Sequence, residues 1–303
     1  KPSQYTPLTA YILAELIDEA GYPAGVFNLV TGCGPEVGNA LALHPDVRML
    51  SFTGSTAAGR EVARLALSNI KRIALELGGK SAAILLPGGD WEFGVKAVLD
   101  TVVLNAGQTC NALTRLLVPA AEQEKANEII LNTLKQYKKG SNADPESDIG
   151  PLSSRRQFDR VKKYIQIGID EGATLLCGGL PGQDAEYRID PTVFVNVKPG
   201  MRIEKEEIFG PVLVVVPYET VDDAVRIAND SEYGLAGAVF GPEAEANAVA
   251  RRMRTGSIYV NYGQWDVKAP FGGYKQSGIG REGAVEGYEE FLEVKTIYDR
   301  EGE

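Results

Sequence analysis

Gly107-Gln108-Thr109-Cys110, following the apolar run Val102-Val103-Leu104, is the stretch best suited to nucleophilic chemistry. A glycine with small polar neighbours lets the backbone turn sharply and leaves a thiol uncrowded. Cys110 is one of three cysteines, and Cys33 and Cys177 sit in quite different local settings. An unperturbed thiol is only a few per cent ionised at neutral pH, so a nucleophilic cysteine needs a base. The best base is Glu76, in Leu75-Glu76-Leu77-Gly78-Gly79-Lys80. A carboxylate between leucines is poorly placed for solvation, and burial raises its pKa toward the range useful for proton abstraction. Taken singly, a buried structural cysteine and a salt-bridged glutamate are equally good readings, since free cysteine is among the most buried residue types.

Other chemistries find less support. The single histidine, His44, lies in Leu43-His44-Pro45-Asp46, which reads as a solvated loop, so Ser-His and Cys-His mechanisms have no base. No cysteine, histidine and carboxylate cluster has metal-ligand spacing, so no metal is expected. With 31 basic and 41 acidic residues the formal charge is −10, which argues against nucleic acid or an anionic membrane surface as partner. No stretch approaches the ~20 uninterrupted apolar residues of a membrane span. Three widely spaced cysteines suit free thiols in a reducing, cytoplasmic setting better than a disulfide framework.

The elements that must position Cys110 and Glu76 alternate. Thr6-Pro7-Leu8 starts a helix whose residues Leu8, Ile12 and Leu16 share one face. Val26–Val30 reads as a short strand running into Gly32-Cys33-Gly34-Pro35-Glu36-Val37-Gly38, a glycine turn that opens a helix. Strand Val47–Phe52 is followed by the turn Thr53-Gly54-Ser55, another helix, and strand Ile73–Leu75. Such alternation implies βαβ units and a parallel sheet. The spacing Gly32-x-Gly34-x-x-x-Gly38 is not the six-residue dinucleotide fingerprint, so tight-turn glycines explain it as readily as a nucleotide does. After Gly79 the pattern restarts. Strands are expected at 82–86, 113–118, 174–177, 192–197, 212–216, 236–240 and 257–261. Helices are expected after Asp90 and over 122–137, 156–171, 221–229 and 244–253. Glu204-Lys205-Glu206-Glu207 has the composition of a solvated charge run. The closing Phe291–Ile297 alternates as a strand does.

Leu75-Glu76-Leu77-Gly78-Gly79-Lys80-Ser81, Gly107-Gln108-Thr109-Cys110, Glu207-Ile208-Phe209-Gly210-Pro211 and Pro270-Phe271-Gly272-Gly273-Tyr274-Lys275 together resemble the aldehyde dehydrogenase superfamily, in order and spacing, from Lys1 to about residue 298. The resemblance implies an α/β fold: an incomplete Rossmann-like cofactor domain over 1–78, a second α/β catalytic domain carrying the thiol over 79–278, and a return segment with an oligomerisation strand over 279–303. It implies that Cys110 attacks an aldehyde, with its own backbone N–H as an oxyanion donor, and that Glu76 activates the thiol or the hydrolytic water. Glu282 becomes a second carboxylate for proton relay, with a salt bridge the equal alternative. NAD or NADP would approach Lys1, Gln4, Gly34, Gly38, the turn Phe52-Thr53-Gly54-Ser55, Gly59 and Leu77, with Glu207 at the nicotinamide ribose and Phe209 packed at the ring. Gln4 stands where the family has a glutamate, which loosens the choice between NAD and NADP. The second oxyanion donor and the first nucleotide-domain strands of the family would lie before Lys1, so the resemblance suggests a relative without its first third. Two rival readings stay open: an impaired relative acting as a binding or oligomerising protein, and a dehydrogenase that acylates coenzyme A or phosphate. The partners implied are a small aldehyde and further copies of the chain, as homodimer or homotetramer.

Overall fold

The computed structural model describes residues 1–182, 186–261 and 263–300. Helix α1 (Leu8–Glu19) forms where expected, but Thr6 makes no capping bond and no residue of the helix is buried. Its apolar stripe faces outward, with Leu8, Ile12 and Leu16 at 74%, 55% and 55% exposure. The strand expected over 26–30 does not form. Val26, Phe27 and Val30 are exposed, and an apolar run without a paired neighbour has nothing to receive its backbone hydrogen bonds. A single π turn at Gly34–Gly38 leads directly into α2 (Asn39–Leu43). Then come β1 (Met49–Thr53), α3 (Thr56–Ala66) and β2 (Arg72–Glu76), with the two strands parallel and Thr53 opposite Glu76. Ser55 accepts the Ala58 N–H at 3.3 Å and so caps α3, which fixes the turn after β1.

A second, larger sheet follows from β3 (Ala82–Leu85), α4 (Trp91–Val103), β4 (Arg115–Pro119), α5 (Gln123–Leu134), α6 (Arg155–Asp170), β5 (Thr174–Cys177) and β6 (Thr192–Val195). It is completed by α7 (Arg202–Lys205), β7 (Val212–Tyr218), α8 (Val221–Asn229), β8 (Tyr233–Gly234), β9 (Ala236–Phe240), α9 (Glu243–Ala250) and β10 (Ser257–Val260). The strand order is β10-β9-β3-β4-β7-β6-β5, parallel throughout except for β5 at one edge. Helices cover both faces: one core layer includes Val161, Ile165 and Ala224 from α6 and α8, the other Val95, Val98 and Ile130 from α4 and α5. That is why β3, β4 and β7 read as unbroken apolar runs rather than alternating ones.

The last elements bring the chain back. β11 (Tyr274–Lys275) pairs with β8, and β12 (Gly278–Ile279) pairs antiparallel with β2, setting Gly278 opposite Glu76. Glu76 thus ends the central strand of a three-stranded sheet, β1-β2-β12. After α10 (Ala284–Glu289) the expected closing strand makes no ladder within the chain, and Val294, Ile297 and Tyr298 are 95%, 80% and 94% exposed. The charge run is also not what its composition suggests. Glu204 is fully buried and accepts from Arg115 Nη1 at 2.9 Å, while Arg115 also donates to the carbonyls of Lys80, Ile227 and Ala228. A buried pair so fully bonded is costly to break, typically ~3–5 kcal/mol when one partner is removed. No helix among the described residues is long and apolar enough to cross a membrane.

Candidate active site

The backbone before Cys110 is held in an unfavourable conformation. After α4, Asn105, Ala106 and Gly107 take φ of +50°, +54° and +71° in succession. Non-glycine residues there cost ~1–2 kcal/mol each, so other contacts must hold the loop. The Asn105 carbonyl accepts both the backbone N–H and Nε2–H of Gln108, at 3.2 and 2.9 Å. Asn105 Nδ2 donates to the Gln108 carbonyl at 3.1 Å, and Gln108 Oε1 accepts the Ser153 N–H at 2.9 Å. Gly107 is also pressed against the Glu207–Pro211 segment: a Cβ there would stand 2.2 Å from the Gly210 carbonyl oxygen. Gly107→Ala is therefore expected to lower unfolding free energy by about 2–4 kcal/mol and to misplace the thiol. Chemical denaturation and the rate of Cys110 alkylation measure both; wild-type values for each would contradict this account of the loop.

Glu76 faces this loop from the end of β2. A Cβ on Gly79 would lie 2.5 Å from the Cys110 carbonyl oxygen, so the two motifs touch backbone to backbone. The Glu76 segment is pinned by Ser277, which is wholly buried. Ser277 O accepts the Leu77 N–H at 2.8 Å, its Oγ donates to the Gly78 carbonyl at 2.7 Å, and the same Oγ accepts the Gly234 N–H at 3.0 Å. The Glu76 side chain is 4% exposed, and neither carboxylate oxygen has a hydrogen-bond partner of ordinary geometry. Burial first, and the negative Glu282 second, push its pKa up to about 8. The Cys110 thiol and Arg281 pull weakly the other way. Burial, then the facing Glu76, drives the Cys110 thiol up to about 12, against one stabilising N–H from Asn111. Below about pH 8 Glu76 therefore holds its own proton, and above that value its carboxylate faces a protonated thiol.

Glu282 is held by two backbone bonds with Phe271, each 2.7 Å. Between it, Glu76 and Arg281 lies a cavity of about 10 Å³, room for about one water. Asn111, next in sequence to Cys110, borders a hollow of about 280 Å³ lined by Leu113, Phe240, Tyr259 and Trp265, among others.

Of the expected cofactor residues, the Phe52–Ser55 turn and Leu77 lie at the carboxyl ends of β1 and β2, where open parallel sheets bind ligands. The Thr53–Ser55 turn is tied to the base by the Gly54 N–H, which donates to the Glu76 carbonyl at 3.0 Å. α3 then presents its free N-terminal N–H groups at Ser55, a favourable end for a pyrophosphate. Gly34 and Gly38 have open space where a side chain would be, as a nucleotide lying on the backbone requires. Lys1 Nζ donates to the Gly32 carbonyl at 3.2 Å, which brings Lys1 to the same turn; Gln4 is exposed. Gly59 is buried under Leu77, whose Cδ2 would be 2.5 Å from an added Cβ, so that pair sets how closely α3 sits on the base strand. Glu207 Oε1 accepts the Gly79 N–H at 3.0 Å, and burial raises its pKa. Phe209 stands at φ +61° two residues on. The uncapped first N–H groups of α3 and the open backbone at Gly34 and Gly38 are the features that suit a nucleotide.

The motifs around Glu76, Cys110 and Glu207 thus meet, and comparison with other proteins agrees with them. The profile of the Aldehyde dehydrogenase family matches residues 1–297. The chain belongs to the aldehyde dehydrogenase family. It is 48% identical over 306 aligned residues to a 3-succinoylsemialdehyde-pyridine dehydrogenase from a Pseudomonas species, covering 100% of this chain and 64% of that protein. In structure it resembles aldehyde dehydrogenase C of Pseudomonas syringae, a mutant complexed with NAD+ and octanal, with a TM-score of 0.94 at 46% identity over 96% of this chain and 61% of the other. An aldehyde dehydrogenase of Mycobacterium tuberculosis complexed with NAD+ gives a TM-score of 0.91 at 46% identity, over 94% and 60%. The chain therefore spans somewhat under two thirds of the length of these aldehyde dehydrogenases.

Sequence reasoning missed the supports. Asn105, Ser277, Gln157, Arg160 and the Arg115–Glu204 pair hold the motifs in place through bonds such as the one Gln108 makes to Ser153, 45 residues away. Nothing local marks such partners. Lys80, within the first motif, is 2% exposed with no partner for Nζ, and burial lowers its pKa to about 7. Cys33, Cys110 and Cys177 are all free. No cluster of potential metal ligands occurs among the described residues.

Proposed function

We propose that this chain oxidises an aldehyde to a carboxylic acid with NAD or NADP, through a thioester on Cys110. The observation that carries the reading is the buried, unpartnered Glu76 carboxylate packed against the Cys110 loop. Above about pH 8 Glu76 is ionised and takes the thiol proton. The sulfur then adds to the aldehyde carbon, and the Cys110 backbone N–H faces the developing oxyanion. NAD+ or NADP+, when bound, supplies the hydride acceptor. Lys1, Gln4, Gly34, Gly38 and the Phe52–Ser55 turn hold the nucleotide, and Glu207 and Phe209 hold its reactive end. Glu76 first passes the thiol proton through the small cavity toward Glu282; the freed carboxylate then takes a proton from water as its oxygen adds to the thioester carbon, and the acid leaves with Cys110 returned as the thiolate. Hydrolysis is favoured over acyl transfer to another thiol because such transfer needs no water-activating base. The hollow beside Asn111 gives an apolar acyl group room. Exposed Phe291, Val294 and Ile297 support association with further copies, and the free thiols suit a cytoplasmic, reducing setting. The test is aldehyde-dependent cofactor reduction with release of the acid. Cofactor binding without turnover would favour a binding role, and a thioester product an acylating one.

Cofactor choice follows from Gln4. A carboxylate there would repel a 2′-phosphate, and Gln4 removes that repulsion without adding a positive charge. Lifting a like-charge clash is worth ~1–3 kcal/mol of discrimination. NAD+ should serve, with NADP+ tolerated. Binding titrations with the two cofactors check this, and NADP+ bound more than ~1,000-fold more weakly than NAD+ would reject it.

A further inference from the structure

The Glu206–Pro211 segment lies between α7 and β7, outside either, yet it must present Glu207 and Phe209 accurately. Its carbonyls are gathered by one face of α6. Gln157 Nε2 donates to Ile208 O at 3.2 Å and to Phe209 O at 2.6 Å. Arg160 Nη2 donates to Glu207 O, and its Nε to Ile208 O at 3.3 Å. One turn further along the helix, the Tyr164 hydroxyl donates to Glu206 Oε2 at 2.6 Å while its ring lies 5.0 Å from the Arg160 guanidinium. Beneath them Val161 packs so tightly on Gly210 that a Cβ there would be 2.5 Å from it. Residues 157, 160, 161 and 164 share one helix face. Three successive carbonyls of the segment are thus turned toward α6, Phe209 stands at φ +61°, and the Glu207 carboxylate accepts the Gly79 N–H.

We propose that Gln157 and Arg160 are positioning residues: they clamp the Glu207–Phe209 carbonyls and thereby fix Glu207 against the base loop and the cofactor. This rests on the reading of Glu207 and Phe209 as cofactor contacts, and it makes α6 part of the site without requiring α6 to touch the ligand. Arg160 is the central member, because a charged donor bonded to two carbonyls is worth more than a neutral one.

The clamp is tested on the full chain with Arg160→Met, which keeps the stem and removes the donors, and with Glu207→Gln. The first readout needs no cofactor. Exchange of the Gly79 amide, protected by Glu207, should rise about tenfold or more in Arg160→Met while amides of β7 stay as in wild type. An unchanged Gly79 amide overturns the clamp whether or not the chain is active. The second readout is NAD+ affinity, expected to fall about tenfold in Arg160→Met, with the Arg160→Met/Glu207→Gln double variant binding no more weakly than Glu207→Gln alone. Multiplying effects would mean that Arg160 acts independently of Glu207, and unchanged affinity that the clamp does not serve the cofactor; either result overturns the proposal. A wild type that binds no NAD+ sinks the cofactor reading instead, and the Gly79 exchange still decides the clamp.

Discussion

Replacing Cys110 with alanine is expected to leave a folded chain that oxidises no aldehyde. The thiol is the nucleophile in the proposed sequence, and no other group among those placed at the cleft replaces it: Cys33 lies in the glycine turn and Cys177 on the far edge strand β5. Loss of a covalent nucleophile commonly costs ~10⁴-fold or more in turnover. The stability effect is small by comparison. Cys110 is half-buried, so removing one sulfur leaves a small cavity and costs about 1 kcal/mol. Cofactor binding is expected to survive, because the residues proposed to hold the cofactor make no bond to the sulfur. Steady-state reduction of NAD+ together with a thermal melt checks both halves. Turnover within tenfold of wild type would show that Cys110 is only a packed core residue.

Glu76→Gln should separate the two uses of the base. The amide keeps the shape but cannot accept a proton, so turnover falls ~10²–10⁴-fold, with the hydrolytic half affected most. A stoichiometric burst of reduced cofactor followed by slow turnover would mark an accumulating thioester. The wild-type rate should rise with pH through an inflection near 8, set by burial of Glu76 and its Glu282 neighbour, and that inflection should vanish in the variant. Stability carries the opposite sign. The Glu76 pKa is raised from 4.5 to about 8 on folding, so between those values the folded state holds a proton that the unfolded chain has released. Stability from this group is complete below the lower value and is lost as pH climbs to the upper one. The Gln variant lacks this loss, so it should gain stability relative to wild type as pH rises from 4.5 to about 8. Equal pH dependence of unfolding in the two proteins would show that Glu76 is not perturbed in this way.

The strengths and weaknesses of the sequence reading have local causes. Ser55 and Asp90 both cap helices where their types and positions suggest, Asp90 accepting the Phe93 N–H at 3.1 Å. Capping depends only on residues within one turn, which is why it is readable. The runs that became β9 and α8 were likewise readable to the residue, since apolar period and flanking turn chemistry are properties of a short window. Val26–Val30 has the same apolar character and forms no strand, because a strand is completed by a neighbour and none lies beside it.

The sequence by itself determined the family, the alternation of strands and helices, and which cysteine and glutamate to pair, because these reside in residue types and short spacings. Only the tertiary structure decided that the two lie together. Glu76 has a raised pKa because it is buried at the end of a strand that β12, from the far end of the chain, returns to pair with. Glu204, unremarkable within a charged run, is buried because Arg115 from another strand meets it. The Cys110 loop holds its left-handed residues because Gln108 is bonded across to Ser153. Burial, desolvation and such cross-chain bonds depend on which distant segments come together, and distances of that kind are written in the fold rather than in any window of residues.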